Sequence, residues 1–174
     1  SLISTIAILG LIGMVVGVAV QGATTGDVAA TVTPKLLTVS VTDGSVAYSI
    51  LGASAIKNTA LYGGTNLNGM LVADTQTAAN GSNVPVTLNI KSSDAVGGVA
   101  WQLAAAAGSD AFVHQFKGGD ATVWTQLPVD NTTYATLDLT PAAVSVAFDL
   151  QITTPTVTTD YVLKTITVTV QVTE

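Results

Sequence analysis

His114, in the run Phe112-Val113-His114-Gln115-Phe116, is the only histidine in a 174-residue chain with no cysteine, no arginine, five lysines and one glutamate, Glu174. The side chains that most often hold metals or drive nucleophilic catalysis are therefore nearly missing. One imidazole with no thiol and no nearby Glu does not build a zinc site, and this sequence setting gives His114 a structural or surface role. Asp43, Asp94, Asp110, Asp120, Asp130 and Asp160 each stand beside Gly, Ser, Thr, Asn or Ala, where a carboxylate bonds the backbone of its own turn. None follows the D-x-D-x-D spacing of a calcium loop. No G-x-S-x-G, P-loop or dinucleotide fingerprint occurs. The doublets Gly63-Gly64, Gly97-Gly98 and Gly118-Gly119 read as turns, and Trp101 and Trp124 as packing residues. The chain is expected to have no catalytic residue, no metal and no cofactor.

Two short motifs do carry chemistry. Asn80-Gly81-Ser82 and Asn131-Thr132-Thr133 are glycosylation sequons in expected loops, which makes Asn80 and Asn131 candidate acceptors if the chain is secreted by a glycosylating cell. Charged residues make up 9% of the chain and the net charge is −6. Phosphate binding needs clustered Lys and Arg, so nucleic acid is excluded as a partner. Thr, Ser, Asn, Gln and Gly supply a neutral polar surface that suits an extracellular coat.

The remaining chemistry is hydrophobic and lies at the start. Residues 1–26 carry no charged side chain. Within them Leu2, Ile3, Ile6, Ile8, Leu9, Gly10, Leu11, Ile12, Gly13, Met14, Val15, Val16, Gly17, Val18 and Val20 form a run that is apolar on every face, as in a helix buried all round or in lipid. As a helix, residues 1–21 would span about 32 Å, close to a bilayer core. Gly13 and Gly17 form a GxxxG pair within a stripe of small residues that lets helices approach closely. Twelve large apolar side chains at roughly 2 kcal/mol each give on the order of 20 kcal/mol on full burial, against an association cost of about 4–15 kcal/mol. The expected role of this segment is a polymerisation core. An apolar run with no basic residues ahead of it also reads as a segment retained after an upstream cut.

The elements that follow are written in the two-residue period of strands. Leu37, Val39 and Val41 alternate with Thr38, Ser40 and Thr42 up to Asp43-Gly44, which predicts a hairpin into 46–50. Further strands are expected over 84–90, 99–103, 111–116, 122–127, 134–139 and 144–152. The last is marked by Ile166, Val168, Val170 and Val172 facing away from Thr165, Thr167, Thr169 and Gln171. Ala104–Ala107 is the one run that suggests a helical turn. The expected fold class is mainly β: a hydrophobic N-terminal α-helix and linker over 1–26, then an antiparallel, Ig-like β-sandwich head over 27–174.

A charge-free apolar helix running through a short linker into a β-sandwich resembles an archaeal-type type IV pilin. Bacterial type IV pilins carry Phe at the position of Ser1 and Glu at that of Thr5, and this chain departs from both. The head, from Asp74-Thr75-Gln76-Thr77 through Leu88-Asn89-Ile90-Lys91, is also similar to secreted β-sandwich modules of bacterial surface proteins. The resemblance implies a structural, non-enzymatic subunit of an extracellular filament at the cell surface. Such a subunit would be held in the membrane before assembly, would polymerise with copies of itself by helix bundling, and would serve adhesion or surface attachment. The alternatives are a surface protein anchored by one membrane helix, and a TasA-like fibre built by strand exchange. In the latter the first segment is extended, as its β-branched residues allow.

Overall fold

In the computed structural model, residues 29–60 and 74–174 are described. Residues 35–174 form one compact unit. Among the described residues ten strands build it: β1 (Val39–Thr42), β2 (Ile56–Asn58), β3 (Gln76–Asn80), β4 (Val86–Ser92), β5 (Gln102–Leu103), β6 (Ala111–Gly118), β7 (Ala121–Gln126), β8 (Ala135–Thr140), β9 (Ser145–Thr153) and β10 (Val168–Thr173). They lie in two sheets.

The larger sheet is organised by β9. One edge of β9 pairs first with β3, Ser145 opposite Ala79 through Phe148 opposite Gln76, and then with β2, Gln151 opposite Asn58 through Thr153 opposite Ile56. Its other edge pairs antiparallel with β6, which carries β7 and the short parallel strand β5 beyond it. β1 closes the far side against β3. The smaller sheet runs β10-β4-β8, antiparallel throughout.

Side-chain alternation explains why these segments are strands. Val146, Phe148, Leu150 and Ile152 of β9 are buried while their neighbours are less so, and Val86, Leu88, Ile90 and Ser92 do the same in β4. Those two rows meet Ala78, Phe116, Leu127 and Leu137 in the main core. A bulge opposite Leu88 and Asn89 in the β4–β8 ladder accompanies the full burial of Leu137. A second, smaller core joins Ala95, Leu103, Phe112 and Ile152. Gly118 and Gly119 link β6 to β7 with φ of 140° and 56°. A Cβ at Gly118 would lie 2.4 Å from the Ala147 carbonyl oxygen, so only glycine fits.

The expected class, an N-terminal helix joined to an antiparallel Ig-like head, is corrected by this architecture. No helix is found among the described residues, including Ala104–Ala107, and the described chain is mainly β in curled sheets. The β5–β6 pair is parallel, and β2 and β3 share one edge of β9. The expected helix at residues 2–20 lies outside the described residues.

The predicted hairpin also fails to form. Asp43 and Gly44 do adopt the positive φ of a tight turn, 73° and 69°, but 45–50 is not a strand and β1 pairs with β3 instead. Gln76 is the reason. Its Oε1 accepts from the Gly44 N–H (3.0 Å) and its Nε2 donates to the Ser45 carbonyl (3.2 Å), so one side chain occupies backbone groups that a returning strand would use.

Candidate functional site

An open cavity of about 830 Å³ lies beside the main core. Phe148 and Leu150 of β9 line it from the larger sheet, Val168 and Val170 of β10 from the smaller, and the irregular segments 44–50 and 163–166 form its rim. Much of that rim is apolar and exposed to solvent: Ile50 is 100% exposed and Leu163 86%. Among the described lining residues the one Lys or Asp, Lys164, turns its ammonium to the Asp160 carboxylate and to the Gly97 and Val99 carbonyls. The same ammonium sits 5.5 Å from the Trp101 ring centroid. Its described lining therefore offers a mainly apolar surface without an uncommitted charge.

His114 reaches this cavity from inside. It occupies the inward row of β6 between Phe112 and Phe116 and is almost fully buried. Its Nδ1 lies 2.8 Å from Ser92 Oγ and its Nε2 lies 3.2 Å from the Tyr48 hydroxyl. One proton arrangement satisfies every group: the Tyr48 hydroxyl donates to Nε2, Nδ1–H donates to Ser92 Oγ, and the Ser92 hydroxyl donates to the Ser93 carbonyl at 3.4 Å. Burial lowers the His114 pKa from 6.5 to about 4, so the ring is neutral at pH 7. Burial, with the Asp74 carboxylate adding to it, raises the Tyr48 phenol above its ordinary range.

A Ser and a His at 2.8 Å have the spacing of a nucleophile and its base. Here Ser92 is 1% exposed and no carboxylate orients the imidazole, whose second nitrogen is spent on Tyr48. The chain of bonds ties the 44–50 rim to β4 and β6. The sequence reading gave His114 a structural or surface role and named neither partner. A signal existed for Ser92, which falls in phase with Val86, Leu88 and Ile90 and so must point inward.

The two sequon asparagines have structural bonds in this fold. Asn80 is 1% exposed. Its Nδ2 donates to the carbonyls of Val84 (3.2 Å), Thr140 (3.2 Å) and Pro141 (2.9 Å), and its Oδ1 accepts from the Ser82 N–H (2.8 Å). The nitrogen that would carry a glycan is enclosed, contrary to the exposed loop expected from sequence. Asn131 sits in a turn at φ 59°, with Nδ2 on Asp94 Oδ2 (3.0 Å) and its carbonyl accepting from Lys91 Nζ (3.0 Å). The apolar run from Leu2 to Val20 lies outside the described residues.

The aspartates act as loop ties. Asp130 accepts from the Thr132 and Thr133 N–H groups and from the Thr133 hydroxyl, which lowers its carboxyl to about 2. Asp110 accepts from the Thr159 N–H and from the Thr158 and Thr159 hydroxyls, which holds its pKa down. Asp94 takes the Leu103 N–H at 2.7 Å. No group of three or more His, Cys, Asp or Glu placed to hold a metal occurs among the described residues, and no helix among them is long and apolar enough to cross a membrane. Comparison with known protein families, with curated proteins and with solved structures finds no match.

Proposed function

We propose that the chain is a structural subunit of a self-assembled extracellular filament, comparable in role to an archaeal-type type IV pilin and used for adhesion or surface attachment. Residues 2–20 drive association between copies after a membrane-held stage. The observation that carries the reading is the run of 26 residues without a charge, placed ahead of a head whose polar groups hold loops and strands together. Such a run needs an apolar environment to cover it. The neutral Thr-rich and Asn-rich exterior suits a coat held by packing and hydrogen bonds.

A second reading, a surface domain anchored singly in a membrane by the same segment, draws on its length, which matches a bilayer core. Ile12→Lys and Gly13→Asp separate the two. A charge placed in a dry contact between copies costs several kcal/mol, so in a filament both variants leave the protein in the supernatant after ultracentrifugation, while the parent pellets. Variants that pellet as polymers like the parent would refute the filament reading.

A further inference from the structure

We propose that Lys91 and Asn131 become joined by an isopeptide bond that the folded chain makes by itself, with Asp94 moving the protons. The proposal goes beyond the filament reading and does not depend on it. Lys91 is on β4, in the row that faces away from the buried Ile90 and Ser92, Asp94 follows the end of that strand, and Asn131 lies in the turn between β7 and β8. The fold brings the three together. Lys91 Nζ donates to the Asn131 main-chain carbonyl at 3.0 Å, and Asn131 Nδ2 donates to Asp94 Oδ2 at 3.0 Å. The same Nζ lies over the Tyr134 ring, 4.7 Å from its centroid.

Each group is held from a second side. Asp94 Oδ1 accepts from the Leu103 N–H at 2.7 Å, which leaves its other oxygen aimed at the Asn131 amide. Asn131 has a φ of 59°, a conformation asparagine tolerates, and Asp130 fixes the turn around it by accepting from the Thr132 and Thr133 N–H groups. One atom is left over. Asn131 Oδ1 is enclosed and has no hydrogen-bond partner among the described residues, an arrangement that folded proteins rarely keep. Lys91 has donors to spare, and rotation at the end of its flexible stem carries Nζ from the main-chain carbonyl of Asn131 to the side-chain amide of the same residue. That movement covers the orphan oxygen and sets the nitrogen against Cγ.

The reaction balances without a co-reactant. The Lys91 ammonium gives one proton to the Asp94 carboxylate, and the freed lone pair attacks Asn131 Cγ, so that the Nζ–Cγ bond forms while the carbonyl electron pair moves to Oδ1. Asp94 then passes its proton to Nδ2. The Cγ–Nδ2 bond breaks, the carbonyl re-forms, and ammonia leaves with the surplus proton of Nζ as ammonium, which returns Asp94 to its carboxylate. Nothing is oxidised or reduced. The chain has no cysteine and so no disulfide; the new amide ties β4 to the β7–β8 turn and restricts the unfolded chain as a disulfide does. It also consumes the nitrogen that a glycan on Asn131 would need, so the two modifications exclude one another.

Intact mass spectrometry of the folded full-length protein, followed by protease digestion, tests the bond. The expected mass lies below the sequence mass by one ammonia, and digestion yields a branched peptide joining Lys91 to Asn131, with trypsin failing to cut after Lys91. Lys91→Arg keeps a donor for the Asn131 carbonyl but has no amine to attack with, so it restores the full mass, as does Asn131→Ala. Asp94→Asn keeps the size of the side chain and slows the reaction about a hundredfold, read as the fraction linked at fixed times after synthesis; linkage at the parent rate overturns the role given to Asp94. Separate linear peptides for Lys91 and Asn131 in the folded parent overturn the proposal, and so does a glycan on Asn131. Loss of ammonia without a branched peptide overturns it in favour of ring closure at an asparagine such as Asn80, which precedes Gly81. Mass is read on the single chain, so these outcomes stand apart from whether the protein polymerises.

Discussion

Replacing His114 by Gln should remove one specific part of the acid sensitivity of the fold. The folded His114 titrates near 4 because burial penalises its charged form, while the unfolded imidazole titrates near 6.5. The unfolded state then binds more protons between those values, so stability is full above about pH 6.5 and falls as pH drops towards 4. Between pH 7.5 and 4.5 the lost contribution is roughly 2–3 kcal/mol, each unit of pKa being worth about 1.4 kcal/mol. Gln keeps a donor and an acceptor for Ser92 and Tyr48, lowers the baseline by about 1 kcal/mol through imperfect geometry, and has no proton to gain. Urea unfolding at the two pH values, followed by tryptophan fluorescence from Trp101 and Trp124, measures the difference. Carboxylates titrate alike in both proteins, so the parent should lose roughly 2–3 kcal/mol more than His114→Gln. Equal losses would refute the assignment of a buried neutral imidazole.

Further outcomes follow from the same structure. Asn80→Ala leaves the Val84, Thr140 and Pro141 carbonyls without their shared donor and should lower stability by about 3 kcal/mol, read from the urea midpoint. Mass spectrometry of native protein should find no glycan on Asn80 if modification follows folding, because its Nδ2 is enclosed. Gly118→Ala, with positive φ and a backbone oxygen 2.4 Å from the new Cβ, should prevent regular β6–β9 pairing and lower the thermal midpoint sharply; an unchanged midpoint would contradict the geometry. The Asp130 carboxyl should titrate near 2 by NMR, with its turn bonds intact above about pH 4 and lost as pH falls towards 2, and Thr133→Val should move that midpoint upward.

Strands β4, β6 and β9 were legible because buried and exposed residues alternate along them, and their observed ranges fall within two residues of those expected at each end. β3 was not legible. Its inward row is Gln76, Ala78 and Asn80, polar residues whose burial depends on partners far along the chain, at Gly44, Ser45, Thr140 and Pro141. The same remote partners explain the failed hairpin and the enclosed sequon, since Asp43-Gly44 and Asn80 carry ordinary local signals that tertiary bonds override. The cavity had no sequence signature either. It arises where β9, β10 and the 44–50 segment meet, and no periodicity within one segment records that meeting.

Electron microscopy of the native material, sheared from the surface of cells that produce it and purified without denaturant, tests the central claim most directly. The account predicts micrometre-long filaments of uniform width composed of this one protein. Discrete particles of single subunits, or protein recovered only with membranes, would contradict it.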